Sequence, residues 1–244
     1  MVELEREGGV ARIFLNRPQK VNALDSALLD ALAAALESLS ADATLRVLVI
    51  AGRGKAFCGG ADVNELAALE PRSARDFILR IHRACDAIRR LPVPVLAQLH
   101  GAVIGAGLEL AASCDLRIAA EGTRFAMPEV RLGIPSVVEA ALLPRLIGSG
   151  RAAWLVLTAE VIDAQRAYEW GLVERLCPAA QMDQTVAETV QQLLAGEREA
   201  LRVQKELLQM WEEQPLSRSI AASVERFADT YSTATPGSRI ERRR

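Results

Sequence analysis

The chain has 244 residues, half of them hydrophobic and a quarter charged, with a formal net charge of −2. That is an ordinary globular balance, long enough for one large domain or a domain with a terminal extension. The near-neutral charge leaves no basic face of the kind that nucleic-acid binding requires. Cys58, Cys85, Cys114 and Cys177 are widely spaced, with no C-x-x-C pair. They therefore offer neither a zinc site nor a dithiol motif and read as reduced, mostly buried thiols. The opening Met1-Val2-Glu3-Leu4-Glu5-Arg6 is too charged for a signal peptide. The longest apolar stretch, 91–113, is interrupted by Pro92, Pro94, Gln98, His100 and Glu109, which fits strand, turn and helix better than a membrane span. A soluble, cytoplasmic protein is expected.

In chain order, residues 10–15 predict a strand, with Asn16-Arg17-Pro18 as punctuation. Asp25 or Ser26 is placed to cap a helix to about Ser40, along which Leu28, Leu29, Leu32, Leu36 and Leu39 recur at helical spacing. The continuous apolar run 46–51 predicts a strand covered on both faces. A glycine-rich loop follows over 52–60. Residues 72–90 predict an amphipathic helix with Phe77, Ile78, Ile81, Cys85 and Ile88 on one side, and His82 reads as a surface residue of it. Strands are expected at 94–99 and 115–119, separated by a second glycine-rich turn at 101–107 and the start of a helix at 108–113. From Ser136 the pattern is helical apart from a strand at 172–176. The expected organisation is an α/β core over 1–180 and a helical C-terminal region over 181–244. The terminal Arg242, Arg243 and Arg244 read as a solvated tail.

Two glycine loops invite nucleotide readings, and both fail. A phosphate-cradling P-loop ending at Gly54-Lys55 needs glycine at 49 and a hydroxyl residue at 56, where Val49 and Ala56 stand. A dinucleotide fingerprint from Gly105 needs a third glycine where Leu110 stands. Two such loops can instead each lend a backbone N–H to one oxygen, an oxyanion hole for a thioester carbonyl; ordinary strand-to-helix turns are the alternative. Glu109, inside an apolar helix, and Glu129, in Phe125-Ala126-Met127-Pro128-Glu129-Val130, are charged residues among apolar neighbours. Such carboxyls are either capped or paired structurally, or they have raised pKa values suited to proton transfer.

The stretches KAFCGGADV (55–63), LHGAVIGAGLELAASCDLRIAA (99–120) and FAMPEVRLGIP (125–135) resemble signatures of the enoyl-CoA hydratase/isomerase (crotonase) family, as do NRPQKVNAL (16–24) and LTAEVIDAQRAYEWGLVERL (157–176). The resemblance runs in order over about residues 5–180. It implies a spiral of β-β-α units with a helical C-terminal part used in assembly, as a trimer or dimer of trimers. It implies an acyl-CoA thioester as ligand, no metal and no separate cofactor. It implies an oxyanion hole from the N–H groups of Ala61 and Ala106. Glu109 matches the water-activating base and Glu129 the donor to the α-carbon, a pair that favours hydration over isomerisation. By the same resemblance CoA runs past Lys20, Val21 and Ala23, with Lys55 as a phosphate partner.

Two departures qualify this. Residues 134–139 lack the glycines usual after the second glutamate. Ser136-x-x-Glu139 reads as a capping box, with Glu139 as a third carboxylate in the acyl pocket as the rival reading. By the same resemblance, the final basic helix that helps to cover CoA is expected to be shortened or missing after Tyr231. An isomerase or other acyl-CoA enzyme of the same fold, and a non-catalytic CoA-binding protein, therefore stand as alternatives.

Overall fold

The computed structural model describes Met1–Thr233; the arginine run at 242–244 lies outside the described residues. In chain order the strands and helices are β1 (Val2–Glu7), β2 (Val10–Leu15), α1 (Ser26–Ser40), β3 (Val47–Gly52), α2 (Val63–Ala67), α3 (Pro71–Arg90), β4 (Val95–Leu99), β5 (Ala102–Ile104), α4 (Ala106–Ser113), β6 (Leu116–Ala120) and β7 (Arg124–Ala126). There follow α5 (Leu143–Ile147), α6 (Ser149–Thr158), β8 (Ile162–Asp163), α7 (Ala164–Trp170), β9 (Arg175–Cys177), α8 (Met182–Leu194), α9 (Arg198–Glu213) and α10 (Leu216–Thr233).

A six-stranded sheet has the order β1-β2-β3-β4-β6-β9, and only its β1–β2 pair is antiparallel. A smaller sheet runs β5-β7-β8. Each pass sends one strand to the large sheet and the next to the small one: β4 then β5, and β6 then β7. The pass after β3 is reduced to one bridge, Cys58 beside Val103 of β5. This is the predicted spiral of β-β-α units, and it stacks the segments that follow the large-sheet strands side by side.

Every residue of β3 is buried, as its unbroken apolar run predicts. One face packs Leu48 and Ile50 against the leucines of α1 and Phe77 and Ile81 of α3; the other packs Val47 and Val49 against Met182, Val186 and Val190 of α8. Full burial of each such side chain contributes about 1.5–3 kcal/mol. Asp25 caps α1, accepting a hydrogen bond from Leu28 N at 2.8 Å. The chain forms two compact units, Met1–Leu194 and a second that begins at Ala195, so α8 belongs to the first. In the second, α9 and α10 pair as a hairpin, with Trp211 Nε1 donating to Ser223 Oγ at 3.0 Å.

Several expectations need correction. Residues 101–107 are not only a turn, since β5 lies within them; β1 and β7 have no sequence counterpart, and β8 interrupts the region from 136 expected to be helical up to 172. β5 and β7 are three residues each, too short to show a period. In β1 a run of acids and Arg6 masks the alternation of Val2 and Leu4, while Glu3 and Glu5 bind Arg53 across the sheet edge. The expected strand at 172–176 is observed at 175–177; Leu172 and Val173 are buried in the turn that ends α7. Among the described residues no helix is long and apolar enough to cross a membrane.

Candidate active site

The site is assembled on the loop after β3, and its anchor is Asn22. Val21 and Asn22 both sit in the left-handed region, at φ 56° and 55°. The fully buried Asn22 side chain makes this conformation tenable. Its Nδ2 donates to Ala56 O (2.7 Å), Arg53 O (2.9 Å) and Phe57 O (3.2 Å), and its Oδ1 accepts from Arg17 N (2.8 Å). Arg17 in turn bridges Asp25 and Asp62. The 17–24 segment is thereby fixed against the glycine-rich loop. Gly59 N donates to Val21 O, Leu24 N to Gly60 O, and Asp62 N to Leu24 O, each at 2.8 Å.

That parallel bridge has a consequence for Ala61. Leu24 uses the groups on either side of it, so the N–H of Ala61 points the other way and has no protein partner among the described residues. Ala106 arrives at the same place for a different reason. It is the first residue of α4, where backbone N–H groups have no helical acceptor and the helix dipole is positive. The two amides belong to touching loops: a methyl group added to Gly60 would lie 4.0 Å from Ala106 N. Gly105 turns the chain at φ 52°, and any side chain there would collide with the Glu129 carboxylate.

Glu109 sits in the first turn of α4 and is 5% exposed. Its Oε1 accepts from Ala140 N at 3.1 Å. Glu129 follows β7, and its Oε2 accepts from Ser136 Oγ at 2.8 Å. Gly60, Ala61, Ala106, Glu109 and Glu129 line one cavity of about 290 Å³, whose remaining wall is largely apolar and includes Leu66, Ile78 and Ile81. Burial raises the Glu109 carboxyl to about 8; the negative charge of Glu129 adds to this, the Ala140 N–H opposes it, and the charge of Glu139 adds a smaller push. A carboxyl poised near neutrality beside a second carboxyl and two free N–H groups can exchange protons with a ligand whose oxyanion those amides hold.

Four of the predicted residues, Ala61, Ala106, Glu109 and Glu129, are thus brought together. Lys20, Val21, Ala23 and Lys55 are not on the cavity wall; they lie on adjoining loops, where Pro18 abuts Gly54, and both lysines are exposed. The Ser136–Glu139 capping box does not form. Val137 occupies the N-cap of the short 3-10 turn Val138–Leu142 and no side chain caps it. Ser136 is drawn to Glu129 instead, and Glu139 accepts from His82 Nδ1 at 2.7 Å. Nor does Glu139 line the cavity as a third carboxylate. His82, expected to be a plain surface residue, is half-exposed but tied to this buried acid. The four cysteines are buried and form no disulfide, and burial pushes Cys58 up to about 12, leaving it an inert thiol. Sequence reasoning missed these roles of Ser136, His82 and the Ala140 N–H, because each depends on a tertiary contact that no local pattern announces.

Glu109 also loads the fold. The folded chain keeps this proton up to about pH 8, whereas the unfolded chain releases it near 4.5. Between those values the folded state binds more protons than the unfolded one, so stability falls as pH rises through that window and is level outside it. At about 1.4 kcal/mol per pH unit the loss is on the order of 3–5 kcal/mol. Glu109→Gln, which does not titrate, should therefore gain stability over the wild type by about that amount between pH ~4.5 and ~8.5. Urea unfolding at the two pH values measures it, and a constant difference contradicts it.

A spiral α/β scaffold that presents two free amides and two acids to one cavity defines a class of enzymes that polarise a carbonyl and move protons beside it. The chain belongs to the enoyl-CoA hydratase/isomerase family, whose sequence model matches residues 5–242. It is 32% identical over 234 residues to the short-chain-enoyl-CoA hydratase of Clostridium acetobutylicum, covering 95% of this chain and 90% of that protein. It is 35% identical over 192 residues to the 1,2-epoxyphenylacetyl-CoA isomerase of Escherichia coli, covering 77% and 72%. The crystal structure of an enoyl-CoA hydratase from Mycobacterium smegmatis superposes with a TM-score of 0.92 at 32% identity, covering 96% of this chain and 91% of that one.

Proposed function

We propose that this protein is an enoyl-CoA hydratase, adding water to a 2-trans-enoyl-CoA to give the 3-hydroxyacyl-CoA. The observation that carries this reading is the pair of carboxyl groups, Glu109 and Glu129, in one cavity with two unpartnered amides. The thioester oxygen accepts from Ala61 N and Ala106 N. Water adds from the form in which the proton held by Glu109 has passed to Glu129; the ionised Glu109 then takes a proton from water as its oxygen bonds to C3, and the π electrons move onto the thioester as an enolate held by the two amides. The enolate collapses as C2 takes a proton from Glu129. One proton leaves water and one reaches carbon, so the two carboxyls exchange protonation states and reset by a single transfer. Hydration is redox-neutral and each proton has a carboxyl partner, so the route calls for no separate cofactor or metal.

In this reading CoA runs along the 20–23 segment, past Lys20, Val21 and Ala23, with Lys55 beside a phosphate. The exposed apolar row Leu216, Ile220, Val224 and Phe227 on α10 suits burial against further copies of the chain, in line with a homotrimer or dimer of trimers. Four buried cysteines outside any disulfide suit a reducing cytoplasm. A panel of enoyl-CoA thioesters, followed by mass spectrometry, tests the assignment. Crotonyl-CoA should gain the mass of one water. A 3-enoyl-CoA converted with no change of mass, while crotonyl-CoA stays unchanged, would instead establish an isomerase. Binding without turnover of any thioester would establish a CoA-binding protein.

A further inference from the structure

Glu139 is a buried acid with no part in the route above. It is 7% exposed, and His82 is the only hydrogen-bond partner of its carboxylate among the described residues. Leaving an acid in such a place is costly unless the charge or its partner is used. The titratable groups that face it are His82 and Cys85 from α3 and Glu109 from α4; behind these, Cys114 acts on Cys85 and Glu129 on Glu109.

The backbone around Glu139 is strained. Val138 is held at φ 41°, a region that a β-branched residue rarely enters. Such strain persists only where neighbouring contacts over-determine it. Two residues on, the Ala140 N–H is shared between Val137 O at 3.0 Å and Glu109 Oε1 at 3.1 Å. A shared donor shifts readily to one acceptor if the turn moves. On α3, His82 directly follows Ile81, which lines the cavity.

We propose that His82 and Glu139 are a positioning pair for Glu109: their hydrogen bond pins the 138–142 turn to α3 and so holds the Ala140 N–H on Glu109. Nothing in the pair touches the cavity; it acts through the turn. The kinetic part of the test rests on the hydratase reading, and the titration part does not.

The test compares His82→Leu, which breaks the pair, with His82→Asn, whose side-chain N–H takes the place of Nδ1–H. In the full chain, kcat and KM for crotonyl-CoA are measured, and the Glu109 carboxyl is titrated by 13C NMR, its signal assigned with Glu109→Gln. Misplacing a reacting group by about 1 Å costs on the order of 10²-fold. His82→Leu should therefore lower kcat by about 10- to 100-fold with KM little changed. It should also move the Glu109 midpoint to higher pH, because the N–H that favours the ionised form is lost. His82→Asn should restore both. Should His82→Leu not fold, His82→Ala serves: it also breaks the pair, so kcat should fall and the midpoint should rise as for Leu. A wild-type midpoint in His82→Leu, or in His82→Ala where Leu does not fold, or an Asn variant no better than these, overturns the pair, and the titration decides where the two arms differ. Wild-type protein inert toward crotonyl-CoA defeats the hydratase reading instead, and the titration still decides the pair.

Discussion

Glu109→Gln and Glu129→Gln should each lower kcat for crotonyl-CoA hydration by about 10²–10⁴-fold, the range for losing one proton-transfer partner. Glutamine matches glutamate in shape, and its carbonyl oxygen can still accept from Ala140 N at position 109 and from Ser136 Oγ at position 129. The fold and the cavity should therefore survive while the proton carrier is lost. The two losses should not add in the double variant, because water activation and carbon protonation serve one transition state. Steady-state kinetics on the three variants is the measurement. Wild-type rates in both single variants would remove the roles assigned here. Loss confined to Glu129→Gln would favour proton shuttling by one carboxyl, as isomerisation requires.

Ala106→Pro should reduce kcat by about 10²–10³-fold, the cost of deleting one oxyanion-hole donor. Proline usually abolishes a helix, but Ala106 is the first residue of α4, where a missing N–H breaks no helical bond and the ring's fixed φ is compatible. The preceding Gly105, at φ 52° and ψ −124°, is free of the Cβ clash that restricts most residues before proline. The substitution thus removes the proposed donor and places ring atoms where the oxyanion would sit, with little demand on the backbone. Ala106→Gly keeps the N–H and should stay close to wild-type activity. Comparable activity in Ala106→Pro, with its melting temperature unchanged, would show that this amide does not hold the oxyanion.

Much of the scaffold can be read from local pattern. The apolar run of β3, the leucine spacing of α1 with its Asp25 cap, and the one-sided α3 each announce their burial through composition alone. The strands β5 and β7 cannot be read that way, because three residues carry no period and their pairing comes from segments more than 20 residues apart. The site divides along the same line. Glu109 and Glu129 are conspicuous as acids among apolar neighbours, and Gly105 and Gly60 mark the loops. Which amides are free is not a local property: Ala61 is left unpartnered because Leu24 bonds on either side of it, which depends on Asn22 locking the 17–24 segment. The Ser136-x-x-Glu139 spacing misleads for the same reason. Its hydroxyl finds Glu129 and its carboxylate finds His82 of α3, and those tertiary contacts outweigh a local cap.

A crystal structure with acetoacetyl-CoA, whose enolate resembles the species formed during hydration, tests the central claim most directly. The thioester oxygen should lie within about 2.7–3.1 Å of both Ala61 N and Ala106 N, with the carboxyl groups of Glu109 and Glu129 flanking C2 and C3. A thioester bound with its oxygen away from those amides, or with only one carboxyl within reach of the reacting carbons, would contradict it.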